Sequence, residues 1–143
     1  MVKVGFLGFQ TSKFTKSTDE DISELASRST IPILNHTLRQ EEIEAVIVSS
    51  CSTEQYLGPI ISESLGLKPK SSFKMDNLCN SGTNSIITAY SFIASGLFKS
   101  VLVIGVEKLP TSGSVLKWDT SRGSFTRPVF WASMFAKSHM RKF

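Results

Sequence analysis

Hydrophobic residues along the chain fall into short continuous runs separated by stretches of helical period. Val2 to Phe9 (VKVGFLGF) is apolar and ends in polar residues, which predicts a buried strand. Thr18 and Asp19 can cap a helix starting near Asp21, with Ile22, Leu25 and Ala26 on one face and Ile33, Leu34 and Leu38 continuing a similar one. Pro32 lies inside that stretch and predicts a kink or break near Thr30 to Pro32, because proline removes a donor and crowds the preceding turn. Glu44 to Ser50 reads as a second strand, and Glu54 to Leu65 as a short helix stopped by Gly66 and Pro69. Ser72 to Met75 is a short strand, Asn80 to Ser95 a longer helix ended by Gly96, and Val101 to Val106 (VLVIGV) a strand apolar enough to be covered on both faces.

Strand and helix alternate, so the fold class is α/β: a mainly parallel sheet with helices on both faces. The pattern changes after Lys108. Pro110 to Pro128 is rich in Ser, Thr and Gly and reads as a loop. Val129 to Met140 regains a helical period with Phe130, Met134 and Phe135 on one side. That aromatic side needs a partner, and no later strand follows, so the expected architecture is incomplete. The expected organisation is a core over residues 1–109 and a loop region with a terminal helix over 110–143.

Composition alters this picture little. The 143 residues suffice for one domain with its own core, and the apolar and charged fractions are those of a folded chain. No apolar run approaches the roughly 18 residues of a membrane span. The first ten residues lack the features of a secretory leader, so the expected location is the cytosol and no membrane partner is expected. The net charge of +4 is uneven: Met1 to Glu107 carries nine Lys/Arg against eleven Asp/Glu, and Lys108 to Phe143 carries seven against Asp119 alone. That basic end could attract a phosphate-bearing ligand, but no motif supports nucleic acid. Gly5 and Gly8 do not have the spacing of a dinucleotide loop. Cys51 and Cys79 are too few for a structural metal, and His36 and His139 do not stand at ligand spacing from them; with no export signal, a disulfide is not expected either.

The segment that carries chemistry is Asp76-Asn77-Leu78-Cys79-Asn80-Ser81-Gly82-Thr83. It sets a cysteine between a strand and the first turn of a long helix. Unpaired N–H groups and the helix dipole there favour an anion, hence the thiolate that attacks carbonyls. The same N–H groups can stabilise an oxyanion beside the sulfur. Gly82 suits close packing of the helix start. Against this stands the commoner role of cysteine as a small core residue. Cys51, within Ser50-Cys51-Ser52-Thr53 and without a matching glycine, fits that structural role.

The run Cys79-Asn80-Ser81-Gly82 resembles the Cys-x-Ser-Gly nucleophile motif of thiolases. Ala94-Ser95-Gly96 followed by Val101 to Lys108 resembles a second family signature, a Ser-Gly turn, a strand and then Gly-x-Glu-Lys. Val4-Gly5-Phe6 with Thr11 to Phe14 is similar to the opening of the archaeal and sterol-carrier-type thiolases, and Phe130 to Phe143 resembles a helix of their loop region. Third-type ketoacyl synthases and hydroxymethylglutaryl-CoA synthases share the fold but differ in spacing after the cysteine. Asn80, standing before Ser81-Gly82, favours thiolase.

The resemblance implies the N-terminal half of a thiolase fold and a two-step exchange. Cys79 takes an acyl group from acyl-CoA, and a second acyl-CoA carbanion then removes it; the reverse is thiolysis of a 3-ketoacyl-CoA. Coenzyme A thioester is substrate, and no resident cofactor is implied. The family's histidine motifs come from a second half and have no counterpart here. His36, in Asn35-His36-Thr37, precedes the nucleophile and lacks the following acidic residue, and neither it nor His139 is expected to be catalytic. The implied partners are a second copy of the chain or a C-terminal half supplied in trans. Two other roles stay open: an inactive thiolase-like fragment serving as binding or partner subunit, and a redox thiol at Cys79.

Overall fold

A central strand, β1 (Ala45–Ser49), pairs in parallel on one side with β2 (Ser71–Met75) and on the other with β3 (Val101–Gly105). The computed structural model describes residues 3–15, 17–37 and 39–108, together with Met134 and Lys137. The chain divides into two compact units, Met1–Lys108 and Leu109–Phe143. In the second, Met134 and Lys137 are helical and exposed. The rest of the terminal-helix prediction, the loop of 110–128 and His139 lie outside the described residues.

In the first unit, α1 (Ile22–Leu34) precedes the sheet, α2 (Leu57–Ser64) crosses from β1 to β2, and α3 (Ser81–Ala94) crosses from β2 to β3. Parallel neighbours require such crossovers. The alternation of the pleat sorts β1 into two faces. Val46 and Val48 join Ile22, Ala26, Leu57 and Ile61 in the core formed with α1 and α2. Ser49 points to the other face, where its hydroxyl donates to Ser85 Oγ of α3 at 2.6 Å. All five residues of β1 are buried, as a central strand covered on both faces must be. The expected three-layer α/β arrangement is thus present.

Several local expectations are corrected. Residues 3–9 form no strand; among the described residues they have no ladder partners, and Phe6, Leu7 and Phe9 are exposed. Helix α1 is capped by Asp21, not by Thr18 or Asp19. Asp21 Oδ1 accepts from Glu24 N at 2.8 Å and Glu24 Oε2 from Asp21 N at 2.7 Å, a reciprocal capping box. Thr18 is occupied with Glu20. Pro32 does not break α1: it sits in the last turn, where the helix has only two residues left to run. A single-turn 3₁₀ helix over Gln40–Glu42, not foreseen, leads into β1. Finally, among the described residues β3 is an edge strand and is not covered on both faces; of its five residues only Ile104 is buried.

Candidate functional site

The C-terminal ends of all three strands meet at one edge of the sheet, the edge at which ligands bind in open parallel α/β sheets. Cys79 stands there, on the connection from β2 to α3, as a free and exposed thiol. Its presentation depends on the residue before it. Leu78 has φ +50°, a left-handed conformation that a side chain with Cβ adopts at a cost of roughly 1–2 kcal/mol. This reverses the chain between strand and helix within five residues.

Ser81 holds the turn. It is buried, and its hydroxyl accepts from Asn77 N at 2.7 Å while donating to Leu78 O at 2.7 Å. Backbone bonds from Asn80 N to Asn77 O (3.1 Å) and from Ser81 N to Leu78 O (3.0 Å) close the same loop. Asp76 Oδ1 accepts from Leu78 N at 3.0 Å. The serine of the Cys-x-Ser-Gly run is therefore the clasp of the loop that presents the cysteine. Helix α3 begins here without a side-chain cap, so the N–H groups of Gly82 and Thr83 have no intrahelical acceptor. Gly82 is not needed for close packing: a Cβ built on it meets nothing within 4 Å. That expectation of tight packing at the helix start is corrected.

Cys51 lies at the same sheet edge, half-buried after β1. Its N–H donates to Glu107 Oε1 at 2.5 Å. Burial, reinforced by the negative charges of Glu107 and Asp76, pushes its thiol up from the ordinary range, and a Ser81 hydrogen bond opposes this only in part. A raised thiol pKa lowers the fraction present as the nucleophilic thiolate. Glu107, the acid of the Gly-x-Glu-Lys run, thus ties the end of β3 to the loop after β1. Lys108 Nζ donates to Glu20 O at 2.6 Å, and Lys74 Nζ to Ser52 O. Sequence pattern had marked Glu107 and Lys108 only through resemblance. Their role as cross-ties depends on pairs 56 and 88 residues apart, which no local signal reveals.

His36 is exposed just beyond the C-terminus of α1, on the connection that leads to the start of β1. Cys79 stands at the opposite, C-terminal edge, so topology does not bring the two together. Among the described residues no cluster of His, Cys, Asp and Glu could hold a metal ion, and no helix is long and apolar enough to cross a membrane.

A parallel three-layer α/β unit with an exposed cysteine between strand and helix defines the class of protein. The chain belongs to the thiolase family: residues 6–135 match the family described as "Thiolase, N-terminal domain". Among curated proteins it is similar to β-ketoacyl-[acyl-carrier-protein] synthase III of Fusobacterium nucleatum, 32% identical over 98 residues, covering 65% of this chain and 30% of that one. The synthase III of Clostridium acetobutylicum is 29% identical over 106 residues, covering 71% and 32%. Among solved structures it is similar to a Thermus thermophilus β-ketoacyl-[acyl-carrier-protein] synthase III, with TM-score 0.54, 22% identity and coverage of 62% and 29%. It is also similar to the HMG synthase of the curacin biosynthetic pathway, with TM-score 0.54, 29% identity and coverage of 60% and 23%. The chain spans about a third of the length of the curated relatives it matches. Its fold is that of the thiolase-type condensing and acyl-transferring enzymes.

Proposed function

We propose that Cys79 is the acyl-accepting nucleophile of a thiolase-type acyltransferase and that this chain supplies the nucleophile-bearing part of the enzyme. The observation that carries the reading is the exposed thiol on a serine-clasped turn at an uncapped helix N-terminus. The Cys79 thiolate attacks the carbonyl of an acyl-CoA. The tetrahedral oxyanion is stabilised by nearby N–H groups, coenzyme A leaves as its thiolate, and an S-acyl cysteine remains. The acyl group then passes to the carbanion of a second acyl-CoA with formation of a carbon–carbon bond and return of the cysteine thiolate. That gives acetoacetyl-CoA when both acyl groups are acetyl, and run backwards it is thiolysis of a 3-ketoacyl-CoA. No resident cofactor is required, and the setting is cytosolic.

The test is direct. The chain is incubated with acetyl-CoA and its peptides are examined by mass spectrometry. An acetyl increment on the Cys79 peptide supports the reading. A Cys79 that iodoacetamide alkylates but acetyl-CoA leaves unmodified overturns it for the isolated chain.

One observation favours a second reading. His36, the histidine among the described residues, is placed away from the Cys79 edge, so no imidazole described here can activate the thiol. In that reading the chain is a catalytically silent thiolase-like subunit that binds acyl-CoA or a partner. Saturable acyl-CoA binding without the Cys79 adduct would favour it.

A further inference from the structure

The clasp on the Cys79 loop leaves one bonding site of Ser81 to be accounted for. A hydroxyl has one donor and two acceptor lone pairs. The donor goes to Leu78 O and one lone pair takes Asn77 N, both at 2.7 Å. Ser81 is buried, so a second lone pair without a partner costs free energy. The thiol of Cys51 lies within hydrogen-bond reach of this hydroxyl. The only hydrogen of Ser81 is committed to Leu78 O, so the bond runs from Cys51 S–H to Ser81 Oγ. An ordinary thiol already carries its proton at neutral pH, and burial and the charge of Glu107 push this one further up. A bond donated by Ser81 to a Cys51 thiolate would have to be taken from Leu78 O, which would open the clasp.

The ladder explains why these residues meet. Ser49 of β1 is level with Met75 of β2, and Ser50 N donates to Met75 O at 3.2 Å. Two residues past Ser49, Cys51 comes level with Asn77, whose N–H Ser81 holds. The main chain of Cys51 is fixed from other strands. Its N–H donates to Glu107 Oε1 at 2.5 Å, just past β3, and the next carbonyl, Ser52 O, accepts from Lys74 Nζ of β2. Glu107, Cys51 and Ser81 therefore form one connected series that ends at the turn carrying Cys79.

We infer that Cys51 is a positioning residue for Cys79: Glu107 fixes its main chain, and its thiol completes the bonding of the serine that clasps the nucleophile turn. The acid of the Gly-x-Glu-Lys run thereby acts on the Cys-x-Ser-Gly run through a cysteine that belongs to neither. Its consequence for acyl transfer rests on the role proposed for Cys79; its effect on the turn does not.

The test uses the full chain with Cys51→Ala, Cys51→Ser, Glu107→Ala, Glu107→Gln and the double variant Cys51→Ala/Glu107→Ala. Two quantities are read: amide hydrogen exchange at Asn77, and the rate of acetyl-adduct formation on Cys79 from acetyl-CoA. Cys51→Ala removes a weak donor, so Asn77 should exchange about threefold faster and the adduct should form about threefold more slowly. The amides of Val46 and Val48 in β1 should keep their protection. Cys51→Ser retains a donor and should restore both quantities. Glu107→Ala should shift them in the same direction by no more than Cys51→Ala, and Glu107→Gln, which still accepts from Cys51 N, should not. Because Glu107 acts through Cys51, the double variant should lose no more than Cys51→Ala alone. The inference is overturned if Asn77 exchange is the same in Cys51→Ala, if Cys51→Ser is as impaired as Cys51→Ala, or if the two losses add. Should Cys51→Ala also lose its β1 protection, Glu107→Ala, which keeps the thiol, decides by the Asn77 readout. Faster Asn77 exchange in a chain whose unsubstituted form takes no acetyl group supports the positioning of the turn and sinks the acyl-transfer reading instead.

Discussion

Two strand–loop–helix units of this protein are built alike and do opposite things. Each of β1-to-α2 and β2-to-α3 carries a cysteine in its loop, Cys51 and Cys79. Each has a non-glycine residue of left-handed backbone just before the turn into the helix, Tyr56 at φ +57° and Leu78 at φ +50°. Each has a glycine as the second residue of its helix, Gly58 and Gly82. In the first unit everything turns inward. Gly58 is pressed against the backbone of Phe73, where an added Cβ would come within 2.7 Å, and Cys51 is half-buried beside Glu107. In the second everything turns outward: Gly82 is open and Cys79 is exposed. The same local plan thus yields a structural joint in one place and a presented thiol in the other. What separates them is the neighbour each loop meets together with the Ser81 clasp that the second loop carries.

The sharpest way to break this comparison is to remove the outward thiol. Cys79→Ser should abolish the acetyl adduct formed from acetyl-CoA, with peptide mass spectrometry as the readout. Because burial and the charge of Glu107 push the Cys51 thiol up, the adduct should not reappear there. If it does, the two loops are chemically equivalent and the contrast is wrong.

The glycines come next. Gly58→Ala drives a methyl group into the N, Cα and C atoms of Phe73, which are backbone and cannot swing aside. Overpacking of that kind costs roughly 1–3 kcal/mol, read as a lower urea midpoint. Gly82→Ala meets empty space and gains helix propensity, so it should be neutral or stabilising by up to about 1 kcal/mol. Equal losses at the two sites would mean that α3 packs against something at Gly82 as closely as α2 packs against β2.

The order of the sheet's strands and helices and the position of the Cys79 loop were legible in the sequence because each rests on local pattern. The apolar run of Glu44 to Ser50 could only be a buried strand, and β1 is one, shorter by a residue at each end. Gly96 does stop α3, at φ +77°. The misses have non-local causes. Residues 3–9 have the composition of a strand, but a strand exists only where an edge meets it, and among the described residues none does. The covering of Val101 to Val106 failed for the same reason. Pro32 failed as a breaker because its effect depends on how much helix remains after it. At the site, Cys79 was legible as a residue type in a setting, whereas the Ser81 clasp and the Glu107 tie are geometry and emerge only with the fold.

Ser81→Ala tests whether the clasp, rather than the helix start alone, presents Cys79. The substitution removes an acceptor from Asn77 N and a donor to Leu78 O. Asn77 is exposed, so water can take over part of the bonding, and the loss should be modest, about 1 kcal/mol. The diagnostic readout is local. Amide exchange at Asn77 and Leu78 should accelerate, and the rate of adduct formation at Cys79 should fall, while β1 keeps its protection.

The smallest effect concerns Cys51 and carries a sign. Its thiol is raised first by burial and then by the charge of Glu107, so in the folded chain it ionises at higher pH than an ordinary cysteine. Alkylation by iodoacetamide follows the thiolate. Labelling of Cys51 should therefore lag behind that of the exposed Cys79 near neutral pH, and the gap should close as pH rises through the raised value. Glu107→Gln can still accept the hydrogen bond from the Cys51 N–H but removes the negative charge. The charge disfavours the thiolate, so its removal lowers the thiol's pKa, and Cys51 should label faster at a given pH. Burial, the larger cause, remains, so the acceleration should be partial and Cys51 should still trail Cys79. If Glu107→Gln instead slows Cys51, or leaves its pH profile unmoved, then the Glu107 carboxylate does not raise this thiol, and burial with the charge of Asp76 is left as the cause.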